Sequence, residues 1–165
     1  MRWRCATCGE EHVGLPLDIA FDEPLYWDGG RAEGDRLTPD LCTWTDDDGV
    51  RCFFVRGVIE LPILDHPDTF AYGVWSSLSE QSYESVLERW QETVSEDGPI
   101  YFGWLSNSLP GYPETLNLPL DVVSRGPRLR PTFVLHVGEH PLIREQRQGI
   151  TMERVREIAA LTVHI

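Results

Sequence analysis

Phe53-Phe54-Val55-Arg56-Gly57-Val58-Ile59-Glu60-Leu61-Pro62-Ile63 is the run on which the fold turns. Phe53, Val55, Gly57, Ile59, Leu61 and Ile63 share one phase of a two-residue period, and Arg56 and Glu60 take the other. Only an extended chain sends alternate side chains to opposite faces, so the run predicts a half-buried β-strand. Just upstream, Leu41-Cys42-Thr43-Trp44-Thr45 leads into Asp46-Asp47-Asp48-Gly49 and returns as Val50-Arg51-Cys52. Acidic residues closing on a glycine between β-prone runs predict a hairpin. With Thr45 facing Gly49 across a three-residue loop, Cys42 falls opposite Cys52.

Working outward, 70–75 (Phe70-Ala71-Tyr72-Gly73-Val74-Trp75) predicts a second strand. Ser77 and Glu80 then have capping-box spacing for a helix start, and the helix carries Tyr83, Val86, Leu87, Trp90 and Val94 on one stripe. Residues 100–105 form a short apolar strand, 116–123 bury Leu118, Leu120 and Val122, and 132–137 bury Phe133, Leu135 and Val137 with His136 turned outward. Pro141 at a first helical position opens a helix through Gln148 that Gly149 closes. Thr151 caps a last helix with Met152, Val155, Ile158, Ala159 and Thr162 inward. Residues 15–40, rich in Pro, Gly and acid, read as a connecting segment wrapped on the surface, anchored by Leu17, Ile19, Phe21, Leu25 and Trp27. Strands dominate without regular βαβ alternation. The expectation is an α+β fold: a mainly antiparallel sheet, two or three helices packed on one face, and an N-terminal cysteine knuckle and hairpin. All 165 residues are read as a single domain, with 1–52 a Cys-containing segment integrated into it.

The bounds on function follow from composition. Asp plus Glu number 27 against 14 basic residues, giving a formal net charge of −13. All 14 basic residues are arginine. Lacking lysine, the chain can form neither a Schiff base nor a phosphate-binding P-loop. The acidity argues against nucleic acid, whose phosphates need cationic surface, and suits a basic protein partner or plain solubility. No run approaches a membrane span and no signal-peptide core opens the chain, so the reading is cytoplasmic with no membrane partner.

Four cysteines stand at 5, 8, 42 and 52. Cys5 and Cys8 have knuckle spacing, and Gly9 lets the backbone curl around two thiolates on one Zn²⁺. Cross-strand Cβ atoms lie about 4.5–5.5 Å apart, so Cys42 and Cys52 can complete the set, with His12 as competing ligand. The alternative is reduced, partly buried thiols.

One series of motifs carries a resemblance: Cys5-x-x-Cys8-Gly9-x-x-His12, Leu15-Pro16, Asp40-Leu41-Cys42, 53–57, Gly73-Val74-Trp75-x-Ser77-Leu78-Ser79-Glu80 and Phe102-Gly103-Trp104-Leu105. Tyr112-Pro113-x-Thr115-Leu116, Arg130-Pro131 and His140-Pro141-Leu142-x-x-Glu145-Gln146-x-x-Gly149-Ile150-Thr151 continue it. In that order they resemble an uncharacterised bacterial family catalogued as domain of unknown function 2199. The resemblance implies a small bacterial protein with no established activity. Its pattern includes the positions of Cys5, Cys8 and Cys42 but not Cys52, which favours His12, another residue or water as fourth ligand.

Candidates for a ligand or partner pocket are Arg56, Trp75, Glu80, Trp104, Tyr112, Arg130, His140 and Glu145. His140 with Glu145 one turn along suits a general base beside an orienting carboxylate, or simply a helix cap. No nucleophile elbow, zinc-protease helix or glycine phosphate cradle is present, so no nucleotide cofactor is expected. Two readings follow. One is a zinc-stabilised module that binds a protein or small molecule, an acidic immunity-type inhibitor of a basic protein being its sharpest version. The other is an enzyme around His140, Glu145, Arg130 and the aromatic loops. An enzyme gathers these residues in one deep pocket, whereas a binding module disperses them.

Overall fold

The computed structural model describes residues 2–4, 11–90, 98–126 and 128–162, with side chains for 14–90, 98–126 and 128–161. Its spine is β6 (Arg51–Pro62), the strand predicted from the alternation. It pairs with β7 (Thr69–Leu78) in an antiparallel hairpin from Phe53 opposite Leu78 to Pro62 opposite Thr69. Both strands are long enough to share their second edges. β5 (Leu41–Thr45) takes the first part of β6, and β10 (Thr132–Leu135) joins it in parallel at Val58. β3 (Asp18–Ala20) runs parallel to Ala71, Tyr72 and Gly73 of β7, and β8 (Ile100–Leu105) pairs antiparallel at Ser76 and Ser77. β9 (Pro119–Val123) lies between β8 and β10. The ring β6–β7–β8–β9–β10 therefore closes into a five-stranded barrel, with β4 (Arg36–Leu37) and β5 extending it on one side. β1 (Arg2–Arg4) and β2 (Glu11–Val13) form a separate antiparallel pair.

Closure needs close approach where β10 meets β6. A Cβ at Gly57 would stand 2.4 Å from the Phe133 ring and 2.8 Å from the Pro131 carbonyl, so only glycine fits. Alternate side chains fill the barrel: Val55, Ile59 and Leu61 from β6, Tyr72 and Val74 from β7, Leu105, Leu120, Val122, Phe133 and Leu135 from the rest. Helices α1 (Glu80–Trp90), α2 (Pro141–Gln148) and α3 (Met152–Thr162) complete an α+β fold whose pairing is antiparallel except at β3–β7 and β10–β6. α2 buries Leu142 and Ile143, and α3 buries Val155, Ile158 and Ala159. α1 buries nothing completely; Tyr83 and Val86 rest against the barrel core. No helix among the described residues is long and apolar enough to cross a membrane.

A second cluster occupies the outer face of β5–β6–β7. Cys42, Phe54 and Trp75 are buried there beneath Phe21, Tyr26, Trp27 and Trp44, so residues 21–44 act as a lid of the chain's own making. Asn107 ties this lid to the barrel: its Oδ1 accepts from Trp75 N at 2.8 Å and its Nδ2 donates to the Glu23 carbonyl at 3.0 Å.

Four local expectations are corrected. The hairpin loop holds five residues, because Asp46 Oδ1 accepts from Asp48 N and Val50 N, both at 2.9 Å, and Thr45 pairs with Arg51. Ser77 lies inside β7, so the helix cap is Ser79, whose Oγ accepts from Ser82 N at 3.1 Å. β10 ends at Leu135, which leaves Val137 exposed and not buried. The Leu25 side chain is exposed as well, and only its backbone N–H, donating to the Ser106 carbonyl at 2.9 Å, ties it down.

Candidate functional site

The polar candidates separate into distinct places. Arg56 donates from Nη1 to the Pro39 carbonyl at 3.2 Å and from Nη2 to Asp22 at 3.4 Å, with its guanidinium 5.9 Å from the Trp75 ring centre. Burial, and then the charge of Arg130, hold its pKa below the usual arginine value. Arg130 Nε donates to Asp40 at 2.8 Å. Trp75 is wholly buried and donates its indole N–H to the Phe21 carbonyl at 2.9 Å. All of this fixes the lid to the sheet.

Tyr112, His140 and Glu145 do meet, on the far side of β7. Glu145 accepts from Tyr112 at 2.6 Å and from Arg154 Nε at 2.7 Å. Because the Tyr112 proton is given to that carboxylate, Tyr72 donates to the Tyr112 oxygen at 3.0 Å. Burial raises the pKa of both phenols, which keep their protons. His140 Nδ1 accepts from Leu142 N at 3.1 Å, and Nε2 lies 3.0 Å from the Pro113 carbonyl, which only accepts. Both ring nitrogens are thus engaged in the neutral tautomer, and His140 is the helix cap with no nitrogen left to serve as base. Glu80 stands apart, exposed at the start of α1.

Cys5 and Cys8 lie outside the described residues, and His12 is described only as backbone in β2. Cys42 and Cys52 are not opposite each other: Cys42 pairs with Phe54 and Cys52 with Trp44, the consequence of the longer loop. Burial, with Asp35 and Glu23 nearby, pushes the Cys42 thiol up to about 12, so it packs as an apolar group. Among the described residues no three His, Cys, Asp or Glu side chains converge as a metal site.

The arrangement with most chemistry left over is the outer face of the barrel. One transverse row crosses it: Cys42, Phe54, Ser77, Trp104 and Pro119 are successive partners from β5 to β9. Small Ser77 makes a notch between Phe54 and Trp104, and its Oγ accepts from Trp104 N at 3.2 Å. Two cavities share that serine. One of about 350 Å³ is lined by Tyr26, Trp44, Asp46, Phe54, Ser106 and Asn117. The other, about 380 Å³, is lined by Ser79, Ser82, Phe102 and Trp104. Tyr26 stacks on Trp44 at 5.6 Å and on Phe54 at 5.9 Å, so three rings form one wall. Beyond the notch, β8 leaves Ile100 63%, Phe102 48% and Trp104 46% exposed. Phe102 meets Trp104 edge to face at 5.0 Å and lies 5.4 Å from His136, which contacts Asp121 at 2.7 Å.

Trp104 was among the residues expected from sequence, and Ser77 reads in sequence first as a helix start and only second as a site residue; Tyr26, Trp44 and Phe102 were not expected. A signal for Phe102 existed, since residues 100–105 are apolar on both phases and the outward phase of such a strand must be covered or left for a partner. No curated protein and no solved structure matches the chain. Residues 4–150 fit the family described as an uncharacterised protein conserved in bacteria, domain of unknown function 2199, and the chain belongs to it.

Proposed function

We propose that the protein is a binding module without catalytic machinery, and that it acts through the notched aromatic face around Trp104. The observation that carries this reading is the row of half-exposed side chains Ile100, Phe102 and Trp104 on one strand of a closed barrel, beside a groove with three stacked rings. Aromatic side chains supply large contact area for little conformational entropy, which makes them the usual anchors of interfaces. The dispersal of the charged candidates supports the same conclusion, because Arg56, Arg130, Glu145 and His140 are each spent on internal contacts. An acidic inhibitor of a basic protein is one version of this reading, supported by the net charge of −13. Structural zinc at Cys5 and Cys8, with His12, belongs to the proposal on spacing alone.

A photocrosslinking residue at Phe102 or Trp104, compared with one at exposed Glu88 on α1, tests the site in growing bacteria. The expected result is a discrete adduct from 102 and 104 that disappears when Ser77→Trp fills the notch. Equal yields from all three positions would remove the proposed face.

A further inference from the structure

The groove has a chemistry more specific than apolar. Its aromatic wall ends on acid: Asp46 lines the cavity, and Asp47 and Asp48 stand exposed in the same loop. Asp28 has Trp44, the Gly30 N–H and Arg31 near it, and these neighbours, Trp44 foremost, hold its carboxyl below the usual range, although the Trp44 indole N–H reaches no partner at hydrogen-bond distance. Four carboxylates at the edge of stacked rings form a site for a cation that also rests on aromatic faces.

The groove's direction limits the occupant further. It crosses β6, β7 and β8 where their backbones are already paired on both sides: Phe54 with Cys42 and Ser77, Ser77 with Phe54 and Trp104, Trp104 with Ser77 and Pro119. A guest strand therefore has no edge to extend. A polyproline-type chain needs none, since it docks between aromatic side chains and keeps its backbone solvated. From β5 to β8 is three strand spacings of about 4.8 Å, roughly 14 Å. At about 3.1 Å per residue, five residues of polyproline helix span it. Asn117, exposed on the rim with φ of 69°, offers its amide to a guest carbonyl, and its only side-chain contact in the wall is a long 3.4 Å bond from Tyr26. A nucleic acid is repelled by the carboxylates, and a neutral sugar can give them hydroxyl hydrogen bonds but gains nothing from their charge.

We propose that this groove takes a short, extended segment of a partner protein that carries arginine or lysine next to proline, the cation over Asp46, Asp47 and Asp48 and the prolines across Trp44, Tyr26 and Trp104. This rests on the reading of the face as a binding surface and names what it binds.

The test is an array of labelled hexapeptides that combine proline with zero to three arginines, each with a glutamate twin, printed beside neutral oligosaccharides. The expected result is binding that rises with arginine count, weakens in 0.5 M salt, and drops about tenfold when Ser77→Trp fills the notch. Because a large residue at 77 disturbs the Trp104 contact, the deciding variant is D47R with D48R, at an exposed loop tip. It keeps Asp46 and the loop, and the expected outcome is a preference transferred to the glutamate twins. Binding indifferent to arginine, or unmoved by the charge reversal, overturns the cationic segment. If oligosaccharides bind instead and Ser77→Trp abolishes it, the occupant is a sugar and the inference fails while the binding face stands. If Phe102 and Trp104 crosslinks are also absent, the face itself fails.

Discussion

The outer surface of the sheet is one pleated face treated in two ways. Over β5, β6 and β7 its aromatic residues, Phe54 and Trp75, lie under the chain's own residues 21–44. Over β8, equivalent positions carry Ile100, Phe102 and Trp104, and these are left in water. Burying an aromatic side chain stabilises a protein by about 2–3 kcal/mol, and nothing in the pleat prevented a longer lid. The difference teaches that the covered half serves stability, while the bare half is free for the binding role proposed above. Tyr26 and Trp44 serve both: Tyr26 stacks on Phe54 and on Trp44, and both line the groove.

The strongest way to break this comparison is to shorten one tryptophan from each half. Trp75→Ala removes a wholly buried ring together with the indole bond to Phe21, and the expected loss is about 3–5 kcal/mol in urea unfolding. A loss under about 1 kcal/mol would mean that the lid is not a core at all. Next in size is Asn107→Ala, which strips the partner from the Trp75 N–H and the Glu23 carbonyl. It is expected to cost about 1–3 kcal/mol and to speed protease cleavage within 22–45, while the barrel strands keep their amide-exchange protection. Cleavage rates that do not change would detach the lid from Asn107.

How much of this could be read from sequence follows from the range of the interactions. β6, β8 and α2 are set by periodicity and by Pro141 and Gly149, all local; β8 and α2 have the expected limits, and β6 runs Arg51–Pro62 against an expected 53–63. The hairpin was visible, but its register was not, because one carboxylate, Asp46, accepts two backbone N–H groups and stretches the loop by two residues. That register moves Cys52 away from Cys42, and it leaves the set of Cys5, Cys8 and Cys42 untouched, two of whose members lie outside the described residues. Barrel closure left no pattern either, since it is made by the non-local pairing at Thr132 and Val58. β3 was hidden for the same reason: three residues pair with a strand some fifty positions away. Of the expected site residues, Tyr112, His140 and Glu145 are together, engaged with one another or with nearby backbone. Trp104 alone faces the groove, and the small residue that shapes it, Ser77, reads in sequence as a helix cap.

The covered half also has a titrating reporter. Cys42 sits in the lid cluster with its thiol raised from the ordinary 9.0 to about 12, chiefly by burial. For such a group the unfolded thiol ionises first, so its contribution to stability is intact below about pH 9 and is lost as pH climbs from there toward 12. The expected outcome is that Cys42 resists iodoacetamide in the native state at pH 8, and that Cys42→Ala flattens the decline in melting temperature above pH 9. The more exposed Cys52 is raised by burial as well, yet is expected to react first. Rapid native labelling of Cys42 would show that the lid opens freely, and the contrast between the two halves would then be one of degree.

The smallest expected change in stability is the most telling. Trp104 is nearly half exposed, and its backbone N–H, which Ser77 receives, survives truncation of the ring. Trp104→Ala therefore removes mostly surface that the fold never dried, and the expected shift is within about 1 kcal/mol of zero. The edge-to-face contact with Phe102 joins two half-exposed rings, so it contributes near the lower end of the roughly 0.5–1.5 kcal/mol that aromatic pairs supply. A face kept for stability would show the Trp75 pattern, with the melting temperature falling alongside binding. A face kept for a partner shows the opposite split: melting unchanged, and crosslinking and peptide binding lost. If Trp104→Ala costs as much as Trp75→Ala, the bare half is a core whose cover lies elsewhere, and the division between the two halves collapses.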